Sequence, residues 1–88
     1  MIIYRYALTD TETILQIPDG HIKLHVGWSD LHSELSVWIS VNPNTENKAV
    51  KFRLVMTGEQ VDKLHHMSYL GTVQRNNIVT HVFFTSII

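Results

Sequence analysis

The stretch MTGEQVDKLHHMSYLGT, residues 56–72, holds the densest set of chemically capable side chains in this 88-residue sequence. His65 and His66 are adjacent candidate metal ligands, His81 is a candidate third, and imidazole donors suit zinc first. Thr57-Gly58 and Gly71-Thr72 raise the question of a phosphate loop. Such a loop needs clustered glycines leading from a strand into a helix, usually with a lysine. Gly58 and Gly71 stand 13 residues apart, so that reading fails. Adjacent histidines point in different directions in most backbones, and surface histidines are the plainer reading of His65 and His66. His21 and His25 share a face if their segment is a strand, but strand rise separates them by about 13 Å, too far for one ion.

Catalytic chemistry finds little support. A hydrolytic triad needs a nucleophile, a base and an orienting group in one place. GWSDL lacks the Gly-x-Ser-x-Gly frame of a nucleophile elbow. The eight carboxylates, Asp10, Glu12, Asp19, Asp30, Glu34, Glu46, Glu59 and Asp62, fall mostly in turn-like segments, where charge is ordinarily solvated. There is no cysteine, which excludes disulfides, thiolate zinc sites and cysteine nucleophiles. The reading is a non-enzyme with no bound cofactor.

These residues need elements to position them, and the pattern for those is strong. In HIKLHVGW, Ile22, Leu24, Val26 and Trp28 alternate with His21, Lys23, His25 and Gly27. LSVWISV sets Leu35, Val37, Ile39 and Val41 against Ser36, Trp38 and Ser40. VKFRLVM sets Val50, Phe52, Leu54 and Met56 against Lys51, Arg53 and Val55. IVTHVFF sets Ile78, Thr80, Val82 and Phe84 against Val79, His81 and Phe83. IIYRYAL follows the same rule, and TILQI more weakly. Period-two alternation marks half-buried antiparallel strands. Turns separate them at PDG (18–20), SDLHSE (29–34), NPNTENK (42–48) and RNN (75–77). Short, regular spacing predicts a small antiparallel β-sandwich or barrel of six to seven strands in one domain, residues 1–88. One short helix or helical turn is expected near residues 58–67, because Thr57 and Gln60 sit at capping-box spacing.

The composition is that of a globular protein: 44% apolar, 17% charged and a formal charge of −1. That charge disfavours nucleic acid as a partner. The opening MIIYRYALTD is not expected to act as a signal peptide. No apolar run approaches the length of a membrane span. A chain this short has a thin core, and oligomerisation is a common remedy.

Two surfaces suit binding. Trp38 lies opposite the apolar face of its strand. If its strand pairs with FRLV, then Trp38, Arg53, Val55 and Phe83 form a dimer or partner surface rich in the residue types that anchor interfaces; the equal alternative is that both sheet faces are covered and Trp38 packs in a second core. Thr57, Gly58, Gln60, Thr72 and Arg75 form a candidate cradle for a small ligand. The apolar terminus VFFTSII, with Phe83, Phe84, Ile87 and Ile88, is expected to be hidden by central pairing or by a dimer.

The order of the pieces IYRYAL, IPDGHIKLHVGW, LSVWISVNP, FRLVMTGEQV, YLGTVQ and VTHVFF resembles a family of small tailed-bacteriophage proteins. The matching positions are Pro18, Trp38, Pro43, Phe52, Arg53, Thr57, Gly58, Tyr69, Gly71, Thr72, His81 and Phe83. Val41-Asn42-Pro43 stands where that family usually has an acidic turn, and FTSII extends past its usual end. The resemblance implies a phage accessory protein in the host bacterial cytoplasm. Its partner would be a host protein or defence complex, inhibited stoichiometrically by a homo-oligomer, a dimer first. A nucleotide or small-ligand sponge is the alternative, and a metal-dependent enzyme using the histidines is a further one.

Overall fold

The computed structural model describes residues 1–62 and 64–87. Seven strands form: β1 (Ile2–Ala7), β2 (Glu12–Pro18), β3 (Ile22–Ser29), β4 (Glu34–Val41), β5 (Asn47–Met56), β6 (Ser68–Arg75) and β7 (Ile78–Ile87). They make two antiparallel sheets, one ordered β1-β4-β3 and the other β2-β5-β7-β6. The β-sandwich expected from the alternation is the fold. Among the described residues there is no helix, and so none that could cross a membrane.

The inward residues of each strand make one core. Ile17, Val37, Ile39, Val41, Val50, Phe52 and Val82 are fully buried, with Leu8 and Val26 beside them. Burying each such side chain contributes about 1.5–3 kcal/mol. β7 lies between β5 and β6, so the apolar C-terminal strand is covered by central pairing. Ile88 lies outside the described residues.

Turn chemistry follows the residues. Gly20 takes φ +77° in the PDG turn. Asn76 takes φ +56° in the two-residue β6–β7 turn, where asparagine tolerates the left-handed region. Gly58, at φ +90°, closes a turn in which Glu59 N–H donates to Met56 O at 3.0 Å.

Two bulges break the expected alternation. The β3–β4 register slips between Lys23 and His25. Ile22 and Leu24 are therefore exposed, not inward with Val26 and Trp28, and the two histidines His21 and His25 meet different surroundings. Lys23 turns toward the other sheet, with Nζ 3.9 Å from the centre of the Phe84 ring. The second slip, between Tyr69 and Gly71, brings Gly71 against Val26 of the facing sheet. A Cβ at Gly71 would stand 2.7 Å from Val26 Cγ1. Here β6 and β3 meet, and the sandwich is closed along that side.

The helix or helical turn expected at 58–67 is not found among the described residues. Strand order explains the difference. The chain leaving β5 must pass β7 to reach β6, and an open crossover with turns at Thr57-Gly58 and His65-His66 spans that distance. Met67 N–H donates to Leu64 O at 2.9 Å, closing the second turn.

Candidate functional site

Arg53 and Trp38 are not neighbours. β4 and β5 belong to different sheets, so Trp38 and the set Arg53, Val55 and Phe83 lie on opposite outer faces of the sandwich. Alternation shows which residues share a face of one strand, but not which sheet that strand joins. Trp38 is half-buried between Arg5 of β1 and His25 of β3, with the His25 ring 5.7 Å away. The same face holds a polar strut. Arg5 Nη1 donates to Glu34 Oε2 at 3.0 Å and to Ser36 Oγ at 2.9 Å, which satisfies the fully buried Ser36 hydroxyl.

The outer face of the four-stranded sheet is the more organised. His81 on β7 meets Thr57 Oγ1 through Nε2 at 2.8 Å and Thr72 Oγ1 through Nδ1 at 2.9 Å. Thr72 Oγ1 in turn meets the Tyr69 hydroxyl. Tyr69 packs edge-to-face on Phe83 with ring centres 5.6 Å apart. The strand register accounts for this: Tyr69 stands opposite Phe83 and Thr72 opposite His81. The β6 bulge keeps Tyr69 and Thr72 on one face although they are three apart in sequence. Tyr69 remains 58% exposed. One neutral imidazole nitrogen donates and the other accepts, so the chain from Thr57 to Tyr69 has a defined direction whichever tautomer holds.

Next to this chain, Arg53 bridges Glu12 at 3.5 Å and Glu59 at 3.3 Å, and Lys51 also meets Glu12 at 3.5 Å. The Arg53 Nε is buried and has no hydrogen-bond partner among the described residues. The crossover roofs a cavity of about 220 Å³, with Lys51 and Arg53 of β5 below and Asp62, Leu64 and His66 above. Val55 is buried, so of the anticipated surface set only Phe83, itself half-buried, joins the aromatic ledge that Tyr69 exposes.

The expected ligand cradle is divided. Thr57 and Thr72 come together through His81, with Gly58 in the adjoining turn. Gln60 is exposed in the crossover. Arg75, exposed at the end of β6, lies over Trp28 instead, its guanidinium 3.8 Å from the ring centre. Those two line a cavity of about 270 Å³ with Leu35, Val73, Ile78 and Thr80 at one end of the sandwich. The candidate metal histidines are not gathered. His65 and His66 meet edge-to-face with ring centres 5.6 Å apart, and His81 is held by two threonines. Among the described residues, no three or more His, Asp or Glu side chains converge as metal ligands.

Sequence reasoning did not list Tyr69 as a site residue or foresee the pair His21 and Lys23. His21 Nδ1–H donates to Pro18 O at 2.9 Å, which leaves Nε2 to accept from Lys23 Nζ at 2.8 Å. Burial lowers the pKa of both, and the neighbouring Lys23 charge lowers His21 further. Only the β3 bulge brings Lys23 inward, and a one-residue insertion has no periodic signature.

No curated protein and no solved structure matches the chain. Residues 1–87 match the model of the family described as Domain of unknown function (DUF7352), and the chain belongs to that family.

Proposed function

We propose that this chain is a binding protein that docks a partner protein on the outer face of its four-stranded sheet. The observation that carries this reading is the exposed Tyr69 ring packed on the half-buried Phe83 and held by the hydrogen-bonded series Thr72, His81 and Thr57. Aromatic anchors within a polar rim are the usual centre of a protein interface. Side chains fixed before binding lose less entropy on docking. A catalytic role has less support: both His81 nitrogens are engaged by threonine hydroxyls, and among the described residues no carboxylate orients the ring. With the phage resemblance, the partner is a host bacterial protein inhibited stoichiometrically.

Pull-down from bacterial lysate, with wild type and Tyr69→Ala compared, tests this. A partner retained by wild type and lost by the variant is expected. A partner retained equally by both refutes this face as the docking surface.

The Trp28–Arg75 cavity favours a second reading, a small flat ligand stacked between aromatic and guanidinium groups. Its volume is close to the ~300 Å³ lower end of small-molecule sites. Calorimetry against nucleotides, with no heat for any, removes it.

A further inference from the structure

We propose that β1 is the dimerisation edge of the protein, pairing antiparallel with β1 of a second copy to join two three-stranded sheets into one of six. β1 ends its sheet, so among the described residues one side of its backbone has no strand beside it. It is an edge without the usual protection. Ile2, Ile3 and Tyr4 are 43%, 61% and 42% exposed. Ile2 and Tyr4 have inward parity, yet the four-stranded sheet does not cover them. Both faces of the strand thus present apolar side chains to solvent.

The other edges are guarded. β2 carries Glu12, Gln16 and Pro18, while β3 and β6 shield each other where Val26 meets Gly71. β1 has no proline and no bulge, and its one charge, Arg5, is tied to Glu34 and Ser36 of its own sheet. Lysine, proline and bulges are the devices that keep edges apart, and β1 uses none of them.

A second copy fits this edge by symmetry. With Tyr4 opposite Tyr4, Ile3 meets Arg5. With Ile3 opposite Ile3, Ile2 meets Tyr4. Neither register sets Arg5 against Arg5, and the Tyr4 register also keeps Arg5 away from the Met1 ammonium, which stands opposite it in the Ile3 register. Pairing of one six-residue strand makes a small interface, at the low end of the ~1,000 Å² total at which specific interfaces begin. That area suits a reversible dimer. The surface is separate from the Tyr69–Phe83 ledge, so the two proposals stand or fall independently.

The test is sedimentation of the full chain over a concentration series, with amide exchange read in parallel. Wild type should be a dimer that dissociates on dilution, with β1 amides gaining protection as concentration rises. Ile3→Lys places a charge at an already exposed position and should weaken the dimer at least tenfold without loss of fold. Tyr69→Ala should dimerise as wild type does. A wild type that stays monomeric at high concentration overturns the proposal. So does an Ile3→Lys protein with an unchanged dimer, or a dimer in which β1 exchange is independent of concentration. If Ile3→Lys fails to fold, Ile3→Thr and the exchange data on wild type decide the matter.

Discussion

Gly71→Ala should destabilise the protein because it adds an atom where the two sheets touch. The new methyl would lie 2.7 Å from Val26 Cγ1. Carbon contacts are comfortable at about 3.5–4.0 Å, so roughly 0.8 Å must be found. Val26 cannot easily give way: it is 7% exposed, belongs to the core and is stiff about χ1. β3 has to lift from β6, or Val26 has to leave its rotamer. Overpacking of this kind costs about 1–3 kcal/mol. With an m-value of about 1 kcal/mol/M for a small domain, the urea midpoint should fall by about 1–3 M. Val26→Ala alone should cost about 1–3 kcal/mol through the cavity it leaves. The double variant exchanges one methyl for two at the same contact, so its cost should fall below the sum by at least about 1 kcal/mol. Urea unfolding followed by tryptophan fluorescence measures all four proteins. Strict additivity, or a Gly71→Ala protein as stable as wild type, would refute the steric account.

Gly20→Ala and Gly58→Ala should behave differently, since each faces open space but holds a positive φ, +77° and +90°. Each should cost about 1 kcal/mol from backbone strain alone, and their thermal effects should add because the turns share no contact. Acidification should destabilise the fold through His21. Burial lowers its folded pKa below 6.5, with Lys23 adding to the shift while the Pro18 bond and Asp19 oppose it. The unfolded chain therefore binds the proton more readily. Stability is full above about pH 6.5 and declines as pH falls from there to the lower folded pKa. His21→Asn keeps a donor for Pro18 O and removes the titration. The stability difference between it and wild type should change between about pH 8 and pH 5, and a constant difference would show that His21 is not the source.

The strands were legible because each buries one face, and a half-buried strand writes that requirement into alternate residues. Val37, Ile39 and Val41, or Val50 and Phe52, could be placed inward on this basis alone. Two things escaped it. A bulge costs one residue and makes the parity on one side of it opposite to that on the other, which is why Lys23 shares the inward face with Val26 and Leu24 faces solvent. Sheet membership depends on strand order, so Trp38 and Arg53 could be given faces but not a common one. The crossover was misread as helical for a related reason. Thr57 and Gln60 have capping spacing, but a segment of about ten residues gains too little from its own hydrogen bonds to outweigh the distance it must span. Gly71 was open to both of its roles, since glycine inside a strand marks a bulge or a close approach. Tyr69 needed the bulge before it could be aligned with Thr72.

The assignment of β1 and β2 to different sheets also governs how the chain reaches its fold. Ile2 pairs with Val41 and Glu12 with Arg53, partners about 40 residues apart, whereas β3–β4 and β6–β7 are local hairpins. Hairpins close in about 1–10 μs, but long-range pairings of this kind set folding times nearer milliseconds to seconds. At ~5–20 residues per second, β4 follows β1 from the ribosome by about 2–7 s. β1 therefore waits, extended and apolar, for a partner not yet made. During that interval a nascent chain is open to chaperones and to its neighbours on a polysome, through the same Ile2, Ile3 and Tyr4 that remain exposed at the sheet edge after folding is complete.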